Sequence, residues 1–486
     1  MTPASAALNA ARRRSELALA SQDTTDVLVV GGGITGVGVA LDAASRGLTV
    51  TLIDAEDLAF GTSRFSSKLI HGGLRYLATG DVATARESAV ERHLLMTSIA
   101  PHLIRALPQL LPFSPGITMR QRTTGSIGMG LGDLLRIRAG TPRTVLPPPR
   151  FVSARTALRL FPALEARGLR GGVLSHDGQL VDDARLVVTV ARTAASLGAR
   201  VLTRVRAGEL RADGASVEDA LTGERFDIRA RSVINATGVW AGTLDDSLSI
   251  RPSRGTHIVL DAADLGDPTA AVTIPHVGSV SRFVFALPQQ HGRVIVGLTD
   301  EATTGPVPSV ARPTDGEIDF LLATLNRVVA TPIHRDQVRG SFAGLRPLVD
   351  SGTASTADVS RRHLVTVSEA GFVSVLGGKL TTYRRMAEDA VDVAIRARRL
   401  PDAPSATARL RLVDVRPSGA SHGGSPDAEP IDLTRQDVDF AVRVEGAMTA
   451  DDVLDRRTRI GLVADDRARN LPMAERLVAE ILADLD

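Results

Sequence analysis

Cysteine is absent from this 486-residue chain. That excludes disulfides, thiolate metal sites, a cysteine nucleophile and a cysteinyl link to a cofactor. Long apolar runs are missing too: none reaches the roughly 18 residues a membrane-spanning helix needs. Residues 1–24 are Ala-rich, carry Arg12-Arg13-Arg14 and lack the compact apolar stretch of a signal peptide, so a mobile tail or frayed helix is expected there, on a cytoplasmic protein. The net charge of +2 gives no reason to expect nucleic acid. No histidine pair has metal-ligand spacing in a suitable context, and no metal is expected.

Three residue types are scarce rather than absent. Of 57 basic residues only Lys68 and Lys379 are lysine; Tyr76 and Tyr383 are the tyrosines and Trp240 the single tryptophan. A chain this biased toward arginine should keep lysine where a compact ammonium is needed and a planar guanidinium will not serve. All five fall in segments that attract attention on other grounds, so a shared site is expected.

The stretch that organises the chain runs from Asp26 to Leu77. An apolar run, Asp26–Val30, breaks at Gly31-Gly-Gly-Ile-Thr-Gly36, and an apolar-periodic segment, Ile34–Arg46, follows. Gly47 stops it, Leu48–Ile53 reads as a second strand, and Asp54 closes the unit. Strand, glycine turn, helix, strand and acid form the dinucleotide-binding βαβ pattern. Gly31 permits the turn, Gly33 lets backbone approach a pyrophosphate, and Gly36 lets helix and strand pack closely. The helix N-terminus, around Ile34 and Thr35, offers N–H groups to the phosphates, and Asp54 is placed to accept from ribose hydroxyls. In a chain with 44 glycines the short pattern alone is weak; both strands and the acid at the right offset make it specific.

Phe60-Gly-Thr-Ser63 and Ser66-Ser-Lys-Leu-Ile-His-Gly-Gly-Leu-Arg-Tyr-Leu77 come next. Here the chain resembles the FAD-dependent glycerol-3-phosphate dehydrogenases, within the glycine-oxidase and D-amino-acid-oxidase-like flavoproteins. The resemblance covers residues 24–400 well and the remainder partly. It implies FAD as cofactor, with Thr62, Ser63, Ser67, Lys68, Leu69, Ile70 and His71 passing beside the flavin. Ser232–Gly242, with Ala236-Thr237-Gly238, resembles the strand and turn that such proteins set against FAD. Phe372–Arg384 is a strand, Gly377-Gly378 and a helix start. There Gly378, Lys379, Leu380 and Thr381 bring backbone N–H groups toward the flavin's pyrimidine oxygens.

The implied fold is α/β. A Rossmann-type, glutathione-reductase-like FAD domain is assembled from residues 25–100, 150–245 and 336–400. An antiparallel β-rich substrate or cap domain takes 101–149 and 246–335. A linker (401–431) and an abbreviated C-terminal helical unit (432–486) follow, the latter resembling the end of the family's C-terminal domain at Asp451–Arg459. One segment is unusual in charge: Ile117–Arg150 holds Arg120, Arg122, Arg136, Arg138, Arg143 and Arg150 against Asp133 alone, around Gly125-Ser-Ile-Gly-Met-Gly-Leu-Gly132. It reads either as the solvated face of a core helix or as a surface resting on anionic lipid.

Oxidising a secondary alcohol on a flavin needs a base, a hydride path and a rigid grip on the substrate. By resemblance Arg75, Arg346 and Tyr76, with Arg361 as a weaker candidate, would grip a phosphate, since guanidinium forks match its oxygens. Lys379 would polarise the hydroxyl. His71 is the expected base and His257 the runner-up, an unperturbed imidazole being mostly neutral at cellular pH. The reaction implied is oxidation of sn-glycerol 3-phosphate to dihydroxyacetone phosphate, with electrons passed to a quinone or similar acceptor. The expected partners extend to membrane lipid at the inner face of the cell membrane and to a second copy of the chain. Two other readings stay open at this point: a flavin oxidase or dehydrogenase of an amino acid or 2-hydroxy acid, and a non-catalytic flavin-binding protein.

Overall fold

Thr24–Val30 is buried along most of its length, as its near-continuous apolar run requires of a central parallel strand. The computed structural model describes residues 6–73, 76, 80–349, 363–414 and 432–485. In it Thr24–Val30 lies between Val50–Asp54 and Arg225–Asn235, parallel to both. Arg200–Thr203 extends the sheet beyond Val50–Asp54, and Val373–Gly377 beyond Arg225–Asn235, again in parallel. His363–Val367 closes that edge antiparallel. Val205–Arg211 and Gly214–Asp219 form a meander with Arg225–Asn235. Helices Ile34–Ser45, Asp183–Ser196 and Tyr383–Arg398 pack together over one face, and a smaller apolar cluster fills the other.

A second, ten-stranded sheet forms the other wall of the molecule. Its neighbours run antiparallel except Ala271–Pro275 beside Ile104–Pro112. Four of its strands, Leu69–Ile70, Arg150–Val152, Gly172–Leu180 and Gly340–Val349, come from stretches expected in the nucleotide unit. Gly172–Leu180 pairs with Ile104–Pro112, and Gly340–Val349 pairs along its full length with Ile250–Asp261. Each is an alternative the local pattern cannot exclude, because an apolar strand does not state which sheet it joins. Leu69–Ile70 also pairs here, at the edge beside Gly172–Leu180. The run after Asp54 thereby crosses from one sheet to the other, and the space between them lies along its path.

The ends of the chain differ more from expectation. Ala10–Gln22 is a packed helix, not a frayed tail: Asn9 caps it, and buried Arg13 pairs with Asp219 at 2.5 Å. Pro401–Asp414 is not a loose linker either. Ser405 and Thr407 hydrogen-bond Asp42, and Leu412 is buried against the nucleotide helices. The C-terminal unit has its own apolar core beneath Arg435–Arg443 and Ala464–Ala483. No described helix is long and apolar enough to cross a membrane.

Met119–Arg138 is a single helix, opened by a Thr118–Gln121 capping box. It buries Gln121, Met129, Leu135 and Arg136 on one side. Ile127, Leu131, Leu134 and Ile137 are 45–59% exposed and recur at helical spacing on the opposite face, with Arg120 and Arg138 at its two ends. The helix therefore covers a core on one side, while its exposed outer face is apolar rather than polar.

Candidate active site

A cavity of about 880 Å³ lies between the two sheets. One end is the glycine turn. Gly31 sits at φ +114°, and a Cβ there would come within 2.6 Å of the Ala236 carbonyl oxygen; only glycine lets the two strand ends meet. The helix ladder begins with the Val37 N–H donating to the Gly33 carbonyl at 3.0 Å. The preceding N–H groups point out of the helix end, and of these Ile34 donates to Ser63 Oγ at 2.9 Å. Gly33 has no side-chain cap of its own. That is the cradle a diphosphate fits, and the residues present suit FAD.

Asp54 lines this end. Its Oδ2 accepts from the Gly32 N–H at 2.5 Å and its Oδ1 from the Glu56 N–H at 2.7 Å. Burial nonetheless raises its pKa to about 6, since the two amides only partly offset the lost hydration. A carboxylate so placed gains from further donors. Gly36, Lys68 and Ile70 stand outside the cavity wall. Gly36 packs against Gly31, and Ile70 is in the core.

Lys68 was expected beside the flavin by resemblance, and its scarcity pointed to a site as well. Its ammonium is instead buried, 2.6 Å from Asp183 and 2.6 Å from the Arg64 carbonyl. Burial lowers its pKa, against the pull of Asp183. Its task is to tie the loop after Asp54 to the start of helix Asp183–Ser196. Tyr383 is likewise a core residue, its ring packed on Gly38. Of the five scarce residues, Tyr76, Trp240 and Lys379 line the cavity.

At the middle of the cavity, Gly377-Gly378 and the turn Leu380–Thr382 lead into helix Tyr383–Arg398. Lys379 projects from this junction. Its Nζ is 4.1 Å from the Tyr76 ring centre and donates to Ser88 Oγ. Ser88 in turn donates to the Thr84 carbonyl, so its lone pairs face the ammonium. No local pattern marks Ser88, which lies mid-helix among ordinary residues.

His71 lines the cavity, its N–H donating to Thr381 Oγ1 at 3.3 Å. Its Nδ1 accepts from the Gly73 N–H at 3.2 Å, which in the neutral ring leaves the proton on Nε2. Beside it, Gly72 leaves room for Arg92: a Cβ there would lie 2.5 Å from Nη1 of Arg92, which pairs with Asp177 at 2.7 Å.

His257 also lines the cavity, but in another state. It is 2% exposed, its Nε2 is 2.8 Å from Ser67 Oγ, and its ring stacks on Phe342 at 4.8 Å. Burial, then the charges of Lys68 and Arg346, depress its pKa to about 3. An imidazole that resists protonation so strongly is a poor base, and its evident work is to hold Ser67.

Arg346 enters from strand Gly340–Val349. Its Nη1 lies 3.2 Å from both Asp300 and Ser253, and its Nη2 donates to the Thr299 carbonyl at 3.1 Å. Asp300 was not anticipated; a Thr-Asp pair just beyond a strand end was the available sign. Arg75 and Arg361 lie outside the described residues. Thr62, Ser63, Ser67, Leu69, Ala236, Thr237, Gly238, Gly378, Leu380 and Thr381 all line the cavity.

The FAD dependent oxidoreductase family matches residues 26–384, from the first strand through the Lys379 turn. The chain is 50% identical to glycerol-3-phosphate dehydrogenase 1 of Mycobacterium tuberculosis over 99% of its own length and all of that protein's. It belongs to the FAD-dependent glycerol-3-phosphate dehydrogenase family. Its fold matches that of the glycerol-3-phosphate dehydrogenase from Bacillus halodurans solved with FAD, with a TM-score of 0.69 and 24% identity, covering 98% of this chain and 97% of that one. The FAD-bound L-alpha-glycerophosphate oxidase from Mycoplasma pneumoniae matches 81% of this chain with all of its own, at 18% identity and a TM-score of 0.59. Family membership and the diphosphate cradle agree on the cofactor.

Proposed function

We propose that this chain oxidises sn-glycerol 3-phosphate to dihydroxyacetone phosphate, using Arg346, Lys379 and His71 on the substrate. The observation that carries the reading is the convergence of these three, from three separate segments, on the cavity that begins at the glycine turn. When bound, FAD supplies a two-electron acceptor for hydride. Arg346 grips the phosphate; its ties to Asp300 and Thr299 fix the plane of its guanidinium. Arg75 and Arg361 join it by family resemblance, and Tyr76 forms the wall beneath Lys379.

Oxidation removes a proton from the substrate's oxygen at C2 and a hydride from C2 itself. The ammonium of Lys379 steadies the oxygen as it gains negative charge. His71 takes the proton at Nε2. To do so its ring must carry the other proton on Nδ1 and give up the Gly73 N–H, a bond at the long end of the normal range. His257, neutral and stacked, shapes the wall and holds Ser67.

The electrons then pass to a quinone at a membrane surface. Ile127 and Leu131 belong both to the exposed apolar stripe and to the cavity wall, which supports a route from that helix face to the site. Arg120 and Arg138 at the ends of the stripe suit anionic headgroups on the inner face of the cell membrane. Turnover with glycerol 3-phosphate is the test, comparing a quinone analogue with dioxygen, with and without anionic vesicles. Faster turnover with the quinone, and vesicle binding lost in an Ile127→Asp, Leu131→Asp double variant, supports the reading. Preference for dioxygen, or binding unaffected by the substitutions, contradicts the acceptor assignment.

A further inference from the structure

Among the described residues the cavity wall draws on none beyond Met386, so the described part of the C-terminal unit does not line the cofactor space. Yet its turn Val453–Arg457 is fastened to the loop that does. Asp57, three residues after Asp54, accepts from Nε of Arg456 at 2.7 Å and from Nη1 and Nη2 of Arg457 at 2.9 Å each. All three residues are at most 3% exposed. On either side, Asp455 lies 3.5 Å from Arg64, and Asp452 lies 2.7 Å from Arg204, which also holds Glu56 at 3.0 Å. Burial alone would push the Asp57 carboxyl up; the two guanidinium groups outweigh it and hold it near 2, fully ionised. The segment from Asp54 to Ser67 thus has the cavity on its inner side and the C-terminal turn on its outer side.

We propose that the C-terminal helical unit is part of the FAD-binding apparatus, with Asp57, Arg456 and Arg457 as positioning residues that hold the loop bearing Asp54, Thr62 and Ser63 in its cofactor-binding shape. The inference rests on FAD as cofactor and is independent of the substrate. A buried carboxylate between two guanidinium groups has few alternative arrangements, because releasing either partner leaves an uncompensated charge. Linkage makes the coupling reciprocal: whatever FAD gains from the turn, the turn gains from FAD.

Hydrogen exchange on the full chain, with and without FAD, tests this directly. Exchange in Val453–Arg457 and Ala464–Ala483 should slow at least tenfold on FAD binding, although neither segment lines the cavity. An Asp57→Asn variant should release FAD at least tenfold faster than the native chain. Should that variant fail to fold, the exchange comparison on the native chain decides. Uptake of FAD with unaltered exchange in both segments overturns the proposal while leaving the cofactor assignment intact. A chain that takes up no FAD overturns both.

Discussion

The ammonium of Lys379 lies 4.1 Å from the centre of the Tyr76 ring, with Ser88 as its hydrogen-bond partner. The aromatic face and the oriented hydroxyl hold a compact charge at one point of the cavity, which a forked guanidinium cannot occupy in the same way. Lys379→Met should keep its flavin and lose on the order of 10²-fold in kcat, as when one donor to a developing oxyanion is removed. Lys379→Arg should recover little of it. Steady-state kinetics on flavin-loaded variants checks both, and a kcat within twofold of the native value in Lys379→Met would remove the role.

Arg346 is expected to act on binding rather than on the chemical step. Arg346→Leu deletes a charge-assisted grip and leaves Asp300 without the guanidinium it faces. KM for glycerol 3-phosphate should rise by roughly 10- to 100-fold, since hydrogen bonds to charged groups contribute about 1.5–3 kcal/mol each. Flavin content should not change. A KM equal to the native value would show that the phosphate is held elsewhere.

The depressed pKa of His257 has a consequence for stability. An imidazole near 6.5 when unfolded and about 3 when folded binds more protons in the unfolded chain between those values. Its contribution to stability is therefore complete above about pH 6.5 and lost as the pH falls toward 3, at roughly 1.4 kcal/mol per pH unit. Denaturant unfolding of the native chain and of His257→Gln across that window should show a shallower pH slope in the variant. Equal slopes would mean that His257 is solvated in solution.

Asp54 predicts a pH dependence of a different kind. With its carboxyl near 6 before the cofactor binds, donors from a ribose favour the ionised form and lower that value. FAD should bind tightest above about pH 6 and weaken on acidification, by at most about tenfold per pH unit. Asp54→Asn should bind more weakly at neutral pH and lose most of this dependence. A native FAD affinity constant from pH 7 to pH 5 would be inconsistent with a ribose at Asp54.

What could be read in the sequence was what the chain says locally. The turn Gly31–Gly36, the acid Asp54, the Ala236-Thr237-Gly238 strand end and the Lys379 junction each combine residue type and spacing within a few residues, and each reaches the cavity. Pairings across the chain were not legible. Gly340–Val349 states that it is a strand but not that Ile250–Asp261 is its neighbour. Scarcity and resemblance both drew attention to Lys68, whose ammonium lies in a buried ion pair with Asp183, an arrangement that demands a compact ammonium just as a site does. Ser88, Asp300 and Asp57 owe their importance to partners more than 40 residues away in sequence, where no local pattern exists.

The central claim is that glycerol 3-phosphate delivers hydride to a flavin held in this cavity. Anaerobic addition of sn-glycerol 3-phosphate to the purified, FAD-loaded chain tests it most directly. The account predicts that the oxidised flavin absorbance bleaches rapidly, that glycerol, glycine, sarcosine and 2-hydroxyglutarate do not match it, and that dihydroxyacetone phosphate appears in equal amount. A flavin that stays oxidised with glycerol 3-phosphate, or is bleached faster by one of the other compounds, would contradict it.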